Sequence, residues 1–264
     1  MTRIDQLFAA KRAANQKALI LFLTAGYPDL PTSIELAIAA AESGADIIEF
    51  GVPFSDPIAD GPTIQRSSMI ALERGADLMK ILQGVGEFRQ RSTAPLVLMG
   101  AFNPIFHRGA ENTVAACAQA GADGFILPDV PPEESSELEA ICASNEMNLI
   151  HLIAPTSPLD RRRLICQRSQ GFVYYMSLKG TTGARASLPA DVARQLDEIR
   201  SLTNKPVAVG FGISTPEHVR TFAPHADAVV VGSAFINLVT AHENQPDLLN
   251  AARDYVKSLA EALK

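Results

Sequence analysis

Short apolar runs alternate along the chain with longer segments of mixed polarity. The runs cover 18–26, 47–53, 96–102, 124–129, 148–155, 171–177, 206–213 and 228–234. Most are continuous Val, Ile, Leu and Phe stretches, which is typical of strands covered on both faces. The segments between them carry apolar residues three or four positions apart, as at 34, 37, 38 and 41, and this spacing predicts amphipathic helices. The alternation predicts eight parallel strands joined by helical crossovers.

Eight strand and helix units in one chain of this length predict an α/β fold, a (β/α)8 TIM barrel that spans 1–264 as a single domain. We expect segment 2–14 to form an N-terminal capping helix and the long last helix, 246–262, to cap the barrel as well. An open doubly wound sheet is the alternative. It is less favoured because Thr24-Ala25-Gly26-Tyr27-Pro28 follows the first run, where that fold carries a glycine-rich dinucleotide turn.

Two carboxylic acids stand out near the second apolar run. Glu49 lies inside the run Ile47 to Val52, and Asp60 lies in the turn-rich segment 53–62 that follows. A carboxylate within a buried strand is costly to keep charged, so Glu49 is a candidate for proton transfer near neutral pH. Asp60, in a polar loop, is expected to remain ionised more readily. Two acids in unlike environments predict two catalytic roles.

Composition narrows the function. The formal charge of −6 and the pI near 5.4 argue against a nucleic-acid-binding surface. No apolar run approaches the ~20 residues of a membrane span, and the N-terminal segment has no signal-peptide core, so we expect a cytoplasmic protein. Cys117, Cys142 and Cys166 lie far apart in helix-like stretches, and the five histidines have no ligand spacing. The sequence therefore predicts no metal site.

Glycines lie at the ends of the last two apolar runs. Gly210-Phe211-Gly212 ends the seventh run, and Gly232-Ser233 ends the eighth. Ser214 or Thr215 before Pro216 is typical of a helix start, and such starts attract anions. Barrel enzymes often bind phosphate at these two loops. The sequence therefore predicts a phosphate site here, and the alternative is that the glycines only end the strands.

The sixth loop, 180–189, reads Gly-Thr-Thr-Gly-Ala-Arg-Ala-Ser-Leu-Pro. Its small and polar residues are typical of a lid that closes over a ligand and excludes water. A loop without that function is the alternative.

Five stretches together resemble one family. They are FGVPFSDPIADGPTIQ (50–65), PDVPPEES (128–135), GTTGAR (180–185), VGFGIS (209–214) and VVVGSAF (229–235). In order and spacing they resemble the α subunit of tryptophan synthase over nearly the whole chain. The resemblance implies a lyase of tryptophan biosynthesis that cleaves indole-3-glycerol phosphate into indole and glyceraldehyde 3-phosphate by a retro-aldol reaction.

The resemblance also implies roles for individual residues. Glu49 matches the catalytic acid and base, and Asp60 matches the second catalytic carboxylate. Phe22 and Ile153 match residues that line the indole pocket, and Tyr174 matches a tyrosine near the substrate, although core packing is the alternative for each. Thr182 and Gly183 match the mobile sixth loop and bind substrate, and the implied phosphate-binding residues are Gly183, Gly210, Phe211, Gly212, Gly232 and Ser233.

The family implies a partner, the β subunit, in an α2β2 heterotetramer. The resemblance implies no cofactor in this chain and pyridoxal phosphate in the β subunit. Segment 53–62 and the loop at Asn103 and Pro104 are expected to face that partner. Ala101 stands where a tyrosine is expected, and Thr181 stands where a valine is expected.

Two other functions remain open from sequence. Lys179 follows the sixth run, where a Schiff-base aldolase of barrel type carries its nucleophile. A catalytically silent barrel that only activates the β subunit is the second possibility. The retention of both carboxylates argues against the silent barrel.

Overall fold

The computed structural model describes residues 1–57, 60–176, 190–210 and 212–264. Within them lie nine strands, every neighbouring pair of which is parallel. They are β1 Ala18–Thr24, β2 Ile47–Gly51, β3 Leu96–Met99, β4 Gly124–Ile126, β5 Asn148–Ile150, β6 Leu152–Ile153, β7 Val173–Met176, β8 Val207–Gly210 and β9 Ala228–Val231. Their order around the sheet is β5-β4-β3-β2-β1-β9-β8-β7-β6.

The ring closes at His151, the single residue between β5 and β6. β5 pairs with β4, whereas β6 pairs with β7. His151 donates its backbone N–H to Ser169 Oγ (3.0 Å), and its carbonyl accepts from the Tyr174 N–H (3.1 Å). The fifth predicted run is therefore divided in two because its halves pair with different neighbours. The closed ring confirms the barrel and excludes the open sheet.

The connections are helical, as the alternating pattern predicts. The helices are α1 Arg3–Ala13, α2 Leu30–Glu42, α3 Pro62–Glu73, α4 Leu78–Arg91, α5 Asn103–His107, α6 Ala110–Ala120, α7 Ser136–Ser144, α8 Leu159–Arg168, α9 Ala190–Leu202, α10 Pro216–Phe222, α11 Ser233–His242 and α12 Leu248–Glu261. Side-chain caps fix several starts: Asp29 accepts from the Thr32 N–H (2.8 Å) before α2, and Asp77 accepts from the Lys80 N–H (3.0 Å) before α4.

Alternation along the strands divides the apolar side chains into two layers. Odd positions of β1, such as Leu19 and Leu21, pack outward against the helices. A smaller cluster fills the barrel interior and includes Ala18, Ile20, Ile47, Val97, Ile126, Ile150, Phe172, Tyr174, Ala208, Ala228 and Val230. Cys117, Cys142 and Cys166 are buried.

Helix α1 closes the amino-terminal end of the barrel. Ile4 and Phe8 are buried in the interior cluster, and the Phe8 ring lies 5.7 Å from the ring of Phe172. The predicted capping helix is therefore confirmed. The expectation that the last helix also caps the barrel is wrong. α12 packs against α2, α10 and α11, so its apolar stripe belongs to the outer helical layer.

Three aspartates hold the amino-terminal end of the strands together. Each precedes a strand, and its carboxylate accepts from a backbone N–H at the start of the strand before it. Asp46 accepts from Leu19 (2.9 Å), Asp123 from Leu96 (2.8 Å) and Asp227 from Val207 (2.9 Å). These bonds satisfy buried backbone donors where the parallel ladder has only begun.

Asp123 has the fullest set of partners of the three. Its side chain accepts from Arg3 Nη1 (2.7 Å) and from Arg89 Nη2 (2.9 Å), in addition to the Leu96 N–H. Only 3% of the residue is exposed. The burial of this charge is therefore compensated by two cations and one backbone donor. None of the helices that the structure describes has the length and apolar character needed to cross a membrane.

Candidate active site

Glu49 occupies the centre of β2 and points into the barrel. It pairs with Phe22 on β1 and with Val97 on β3. Ile47, two positions earlier and on the same side of the strand, belongs to the interior cluster. Only 1% of Glu49 is exposed. The predicted orientation is confirmed, because the acid lies among apolar side chains inside the ring.

The environment of Glu49 favours its protonated form. Burial, and to a smaller extent the charge of Asp60, raises the pKa of its carboxyl group from 4.5 to about 8. Among the residues that the structure describes, Glu49 Oε2 has no hydrogen-bond partner. A buried oxygen without a partner is costly unless a ligand supplies one. Glu49 can therefore hold a proton at neutral pH and present it to a ligand.

Asp60 lies just before Gly61, the residue that precedes α3. Its backbone carbonyl accepts from Gln65 Nε2 (2.9 Å), which ties the loop to the first turn of that helix. The side chain is half-buried, and burial raises its pKa above the ordinary value. The sequence predicts that Asp60 remains ionised more readily than Glu49. The carboxyl group of Asp60 is half-buried whereas Glu49 is fully buried, so the two acids do lie in unlike environments.

Two buried aromatic rings surround Glu49. Phe22 on β1 and Tyr174 on β7 are 4% and 5% exposed. Burial raises the pKa of the Tyr174 phenol well above its ordinary value, and the charge of Glu49 adds to this effect. Tyr174 therefore stays neutral, and the contact of both rings with a ligand stays a prediction.

Glycines make room for these rings. A Cβ atom on Gly51 would lie 2.8 Å from Phe22 Cε2, and one on Gly210 would lie 2.9 Å from Tyr174 Cζ. A Cβ atom on Gly232 would lie 3.3 Å from Phe22 Cβ. The sequence attributes Gly210 and Gly232 to close approach of a phosphate group. The structure adds a second reason, because the space beside each glycine holds an aromatic side chain of the pocket.

The prediction for Ile153 requires a correction. Ile153 pairs in register with Tyr175, whose hydroxyl donates to Gln195 Oε1 on the outer helix α9 (3.1 Å). Side chains in register on parallel strands share a face, so Ile153 points to the outer helical layer, where it is fully buried. Leu152 pairs with Tyr174 and packs against the interior cluster. Strand alternation, counted from Tyr174 across the pair, is the signal that identifies Leu152.

The two predicted phosphate loops lie on the neighbouring strands β8 and β9. Gly212 has a φ of +77°, and apart from its chain neighbours no described residue has an atom within 4 Å of the position of a Cβ there. Gly232 is the N-cap of α11, and Ser233 is the first residue of that helix. No side chain among the described residues caps α11, so its first N–H groups remain open to a ligand. The predicted helix start at 214–216 is confirmed, with Thr215 as the cap of α10.

Phe22 connects the two parts of the site. Its ring packs against Gly51, two residues after Glu49, and its Cβ faces Gly232 at the phosphate loop. The strand that carries Glu49 and the glycine loop after β9 therefore both contact one aromatic side chain. Gly51 and Gly232 lie at the carboxyl ends of β2 and β9, the end at which barrel enzymes carry their active sites.

A cavity of about 60 Å³ adjoins Asp60 and is lined by Val52, Phe54, Asp56, Pro57, Gly100, Ala101, Pro128 and Asp129. Ala101 is thus part of a wall near the second carboxylate. Several predicted residues lie outside the described part of the chain: Thr182, Gly183, Phe211, Thr181 and Lys179. The described residues contain no group of three or more His, Cys, Asp or Glu side chains arranged to hold a metal ion.

Comparison with known proteins gives one consistent family. The family sequence model described as "Tryptophan synthase alpha chain" matches residues 8–264. The chain is 46% identical over 263 residues to the tryptophan synthase alpha chain of Geobacter sulfurreducens, covering 100% of this chain and 99% of that protein. It is 43% identical over 263 residues to the protein of the same name from Geobacter sp. strain M21, covering 100% and 98%.

Solved structures agree. Tryptophan synthase subunit alpha from Legionella pneumophila is similar with a TM-score of 0.92 at 35% identity, covering 100% of this chain and 98% of that one. A chain of tryptophan synthase from M. tuberculosis in an aminoacrylate-bound form is similar with a TM-score of 0.90 at 32% identity, covering 100% of both chains.

Proposed function

The chain belongs to the tryptophan synthase alpha chain family, and we propose that Glu49 and Asp60 are the catalytic carboxylates of its reaction. The reaction is the cleavage of indole-3-glycerol phosphate to indole and glyceraldehyde 3-phosphate, so the protein is a carbon–carbon lyase of tryptophan biosynthesis. The assignment of these two residues is supported by their burial, their proximity and their raised pKa values.

Glu49 acts first as an acid and then as a base. Its carboxyl group donates a proton to carbon three of the indole ring, which leaves a positive charge on the ring nitrogen. The resulting carboxylate then takes the proton of the hydroxyl on the adjacent side-chain carbon. That carbon becomes the aldehyde as its bond to the ring breaks, and the bonding electrons restore the indole. A pKa of about 8 suits both steps, because neither form is strongly favoured near neutral pH.

Asp60 stabilises the charge that develops on the ring. Protonation at carbon three makes the ring N–H positive, and a carboxylate beside it lowers the energy of this intermediate. Asp60 is close enough to Glu49 for its charge to raise the pKa of that residue. Half-burial strengthens the electrostatic interaction, because less water screens it. The aromatic rings of Phe22 and Tyr174 hold the indole between the two acids, and Leu152 faces the same interior.

The phosphate group binds at the loops after β8 and β9. The open N–H groups at the start of α11 and the unobstructed backbone at Gly212 suit a dianion. We assign phosphate binding to Gly212, Gly232 and Ser233, with Gly210 at the end of β8. Gly183 and Phe211 are further phosphate contacts by the family resemblance, and Thr182 is a further substrate contact.

The partner is the tryptophan synthase β subunit. We propose that segment 53–62 and the start of α5 contact it in an α2β2 assembly. Ser55 and Asp56 are exposed, and so is Asn103. Phe106, three residues after Asn103, is 69% exposed. An exposed aromatic residue near rigid proline-rich turns is typical of a contact surface.

We also propose that residues 1–264 act as one barrel domain. The cleavage uses proton transfer and charge stabilisation by side chains, so we assign no cofactor to this chain and assign pyridoxal phosphate to the β subunit. A cytoplasmic location stays a prediction.

The observation that carries the assignment is the buried Glu49 carboxyl group, whose Oε2 has no hydrogen-bond partner among the described residues. Glu49→Gln keeps the shape and removes the acidity, so indole release should fall by about 10² to 10⁴-fold while the protein stays folded. Glu137→Gln, at an exposed position of α7, is the matched control and should keep full activity. The assay measures indole formation from indole-3-glycerol phosphate, with and without the β subunit.

Unchanged cleavage by Glu49→Gln would show that the acid is another residue. Borohydride treatment in the presence of substrate tests the aldolase alternative. A Schiff base would leave a covalent adduct on Lys179, and we expect none.

A further inference from the structure

Tyr255, on the outer helix α12, contacts both of the loops that we assign to phosphate. Its hydroxyl donates to the carbonyl oxygen of Ser214 (2.8 Å). Its ring stacks on Phe235, with centroids 6.4 Å apart and an angle of 25° between the planes. One side chain therefore joins the loop after β8 to the helix that follows β9.

Both contacts lie next to the phosphate-binding residues. Ser214 is two residues past Gly212, and Phe235 is in the first turn of α11. The Phe235 N–H donates to the carbonyl of Gly232 (2.8 Å), so movement of the Phe235 ring is transmitted to the N-cap of α11. Tyr255 itself lies in the outer layer, on the far side of these loops from the barrel interior.

The loop after β8 is fixed by contacts of its own side chains. Gly212 has a positive φ, and Ile213 is buried in the outer apolar layer. The Thr215 cap and the contact of Ser214 Oγ with His218 Nδ1 (3.3 Å) fix the loop to its own helix, α10. The bond from Tyr255 is a long-range connection from that loop to another element. Burial raises the pKa of the Tyr255 phenol to about 12, so its hydroxyl remains a donor at all physiological pH values.

We propose that Tyr255 is a positioning residue for the phosphate end of the substrate. It sets the distance between the Gly212 loop and the start of α11, so that backbone N–H groups from both converge on one phosphate group. Tyr255 does not touch the substrate. The inference rests on the proposed function, because it requires that Gly212, Gly232 and Ser233 bind the phosphate.

The test compares Tyr255→Phe, which removes only the hydrogen bond, with Tyr255→Leu, which removes the stacked ring as well. We expect Tyr255→Phe to raise KM for indole-3-glycerol phosphate and Kd for glycerol 3-phosphate about threefold to tenfold, the loss expected for one hydrogen bond. Tyr255→Leu should raise both further. The kcat value and the Kd of indole, which has no phosphate, should change less than about twofold.

Tyr175→Phe is the matched control. It removes a phenol hydroxyl that bonds Gln195 in the same outer layer, away from the phosphate loops. It should leave KM and the Kd of glycerol 3-phosphate unchanged. The inference is wrong, and Tyr255 is only a structural residue, in either of two cases. The two Tyr255 variants weaken the binding of indole and of glycerol 3-phosphate equally, or they weaken the binding of neither.

Gly232→Ala and Ser233→Ala test the phosphate site itself. If neither variant raises the Kd of glycerol 3-phosphate, the assignment of the phosphate site is wrong. If they raise this Kd and the two Tyr255 variants do not, the phosphate site stands and only the role of Tyr255 is wrong.

Discussion

Each end of the barrel has a buried carboxyl group, and the two groups differ in their hydrogen-bond partners. At the amino-terminal end, Asp123 is 3% exposed and accepts from Arg3, Arg89 and the Leu96 N–H. At the carboxyl end, Glu49 is 1% exposed, and within the described part of the chain its Oε2 has no partner. Burial is therefore nearly equal, and the difference lies in the partners.

This difference separates stability from chemistry. A buried carboxylate that accepts from two cations and a backbone N–H ties three elements together. A buried carboxyl group with a free oxygen changes its ionisation state easily and can bond a ligand. At the end that α1 closes, the buried Asp123 carboxylate is therefore paired with cations. At the end where the loops lie, the Glu49 carboxyl group has an oxygen without a partner among the described residues.

Removal of the satisfied carboxylate should have the largest effect on stability. Asp123→Ala removes the carboxylate that faces the Arg89 charge and the acceptor of the Leu96 N–H, and we expect a loss of about 3–5 kcal/mol in the free energy of unfolding. Urea unfolding measures it. Asp160→Ala is the control, because the side chain of Asp160 is 96% exposed and pairs only with Arg163. A loss for Asp123→Ala no larger than for this control would remove the distinction between the two ends.

Removal of the Glu49 carboxyl group should have the opposite effect and increase the free energy of unfolding at neutral pH. The folded protein keeps the Glu49 proton at pH values where the unfolded chain has lost it, so this group lowers stability as the pH rises from 4.5 towards 8. Each unit of pKa shift corresponds to about 1.4 kcal/mol. Relative to wild type, Glu49→Gln should therefore gain about 3 kcal/mol between pH 4.5 and pH 7.

Unfolding curves of both proteins at a series of pH values provide the measurement. The difference between the curves isolates Glu49 from the other titrating groups. A difference that does not change with pH would mean that Glu49 ionises in the folded protein as it does in the unfolded chain.

A smaller effect is expected at the glycine that makes room for Phe22. Gly51→Ala places a methyl group against the Phe22 ring, and we expect a cost of about 1–3 kcal/mol and weaker binding of indole. Gly86→Ala in α4 meets no atom within 4 Å and should stabilise the protein by about 0.5–1 kcal/mol. Thermal unfolding and indole titration distinguish the two, and equal effects would mean that the pocket tolerates displacement of Phe22.

Much of the fold follows from the sequence because apolar runs and helical stripes are local signals. The eight runs, the inward side of Glu49 and the capping helix α1 are all predicted correctly. The division of the fifth strand at His151 is not, since it depends on which neighbour each half pairs with. The position of α12 is missed for a similar reason, because an apolar stripe does not say which surface covers it.

The site is predicted less completely than the fold. Motifs identify Glu49, Asp60 and the glycine loops, but the neighbours of a residue in space decide its environment. Ile153 and Leu152 are both apolar, and only the register with β7 separates them. The half-burial of Asp60 depends on residues far from it in sequence. The hydrogen bond from Tyr255 to Ser214 also joins distant residues, so no local pattern predicts either feature.

The most direct test of this account is the titration of the Glu49 side-chain carboxyl group. Carbon-13 NMR of protein labelled at glutamate carboxyl carbons follows the ionisation of each group, and the signal absent from Glu49→Gln identifies Glu49. We predict a midpoint of about 8, because the group is buried and the charge of Asp60 lies close to it. A midpoint near the ordinary value of 4.5 would contradict the account, since Glu49 would then be ionised at neutral pH and unable to donate the proton that starts the cleavage.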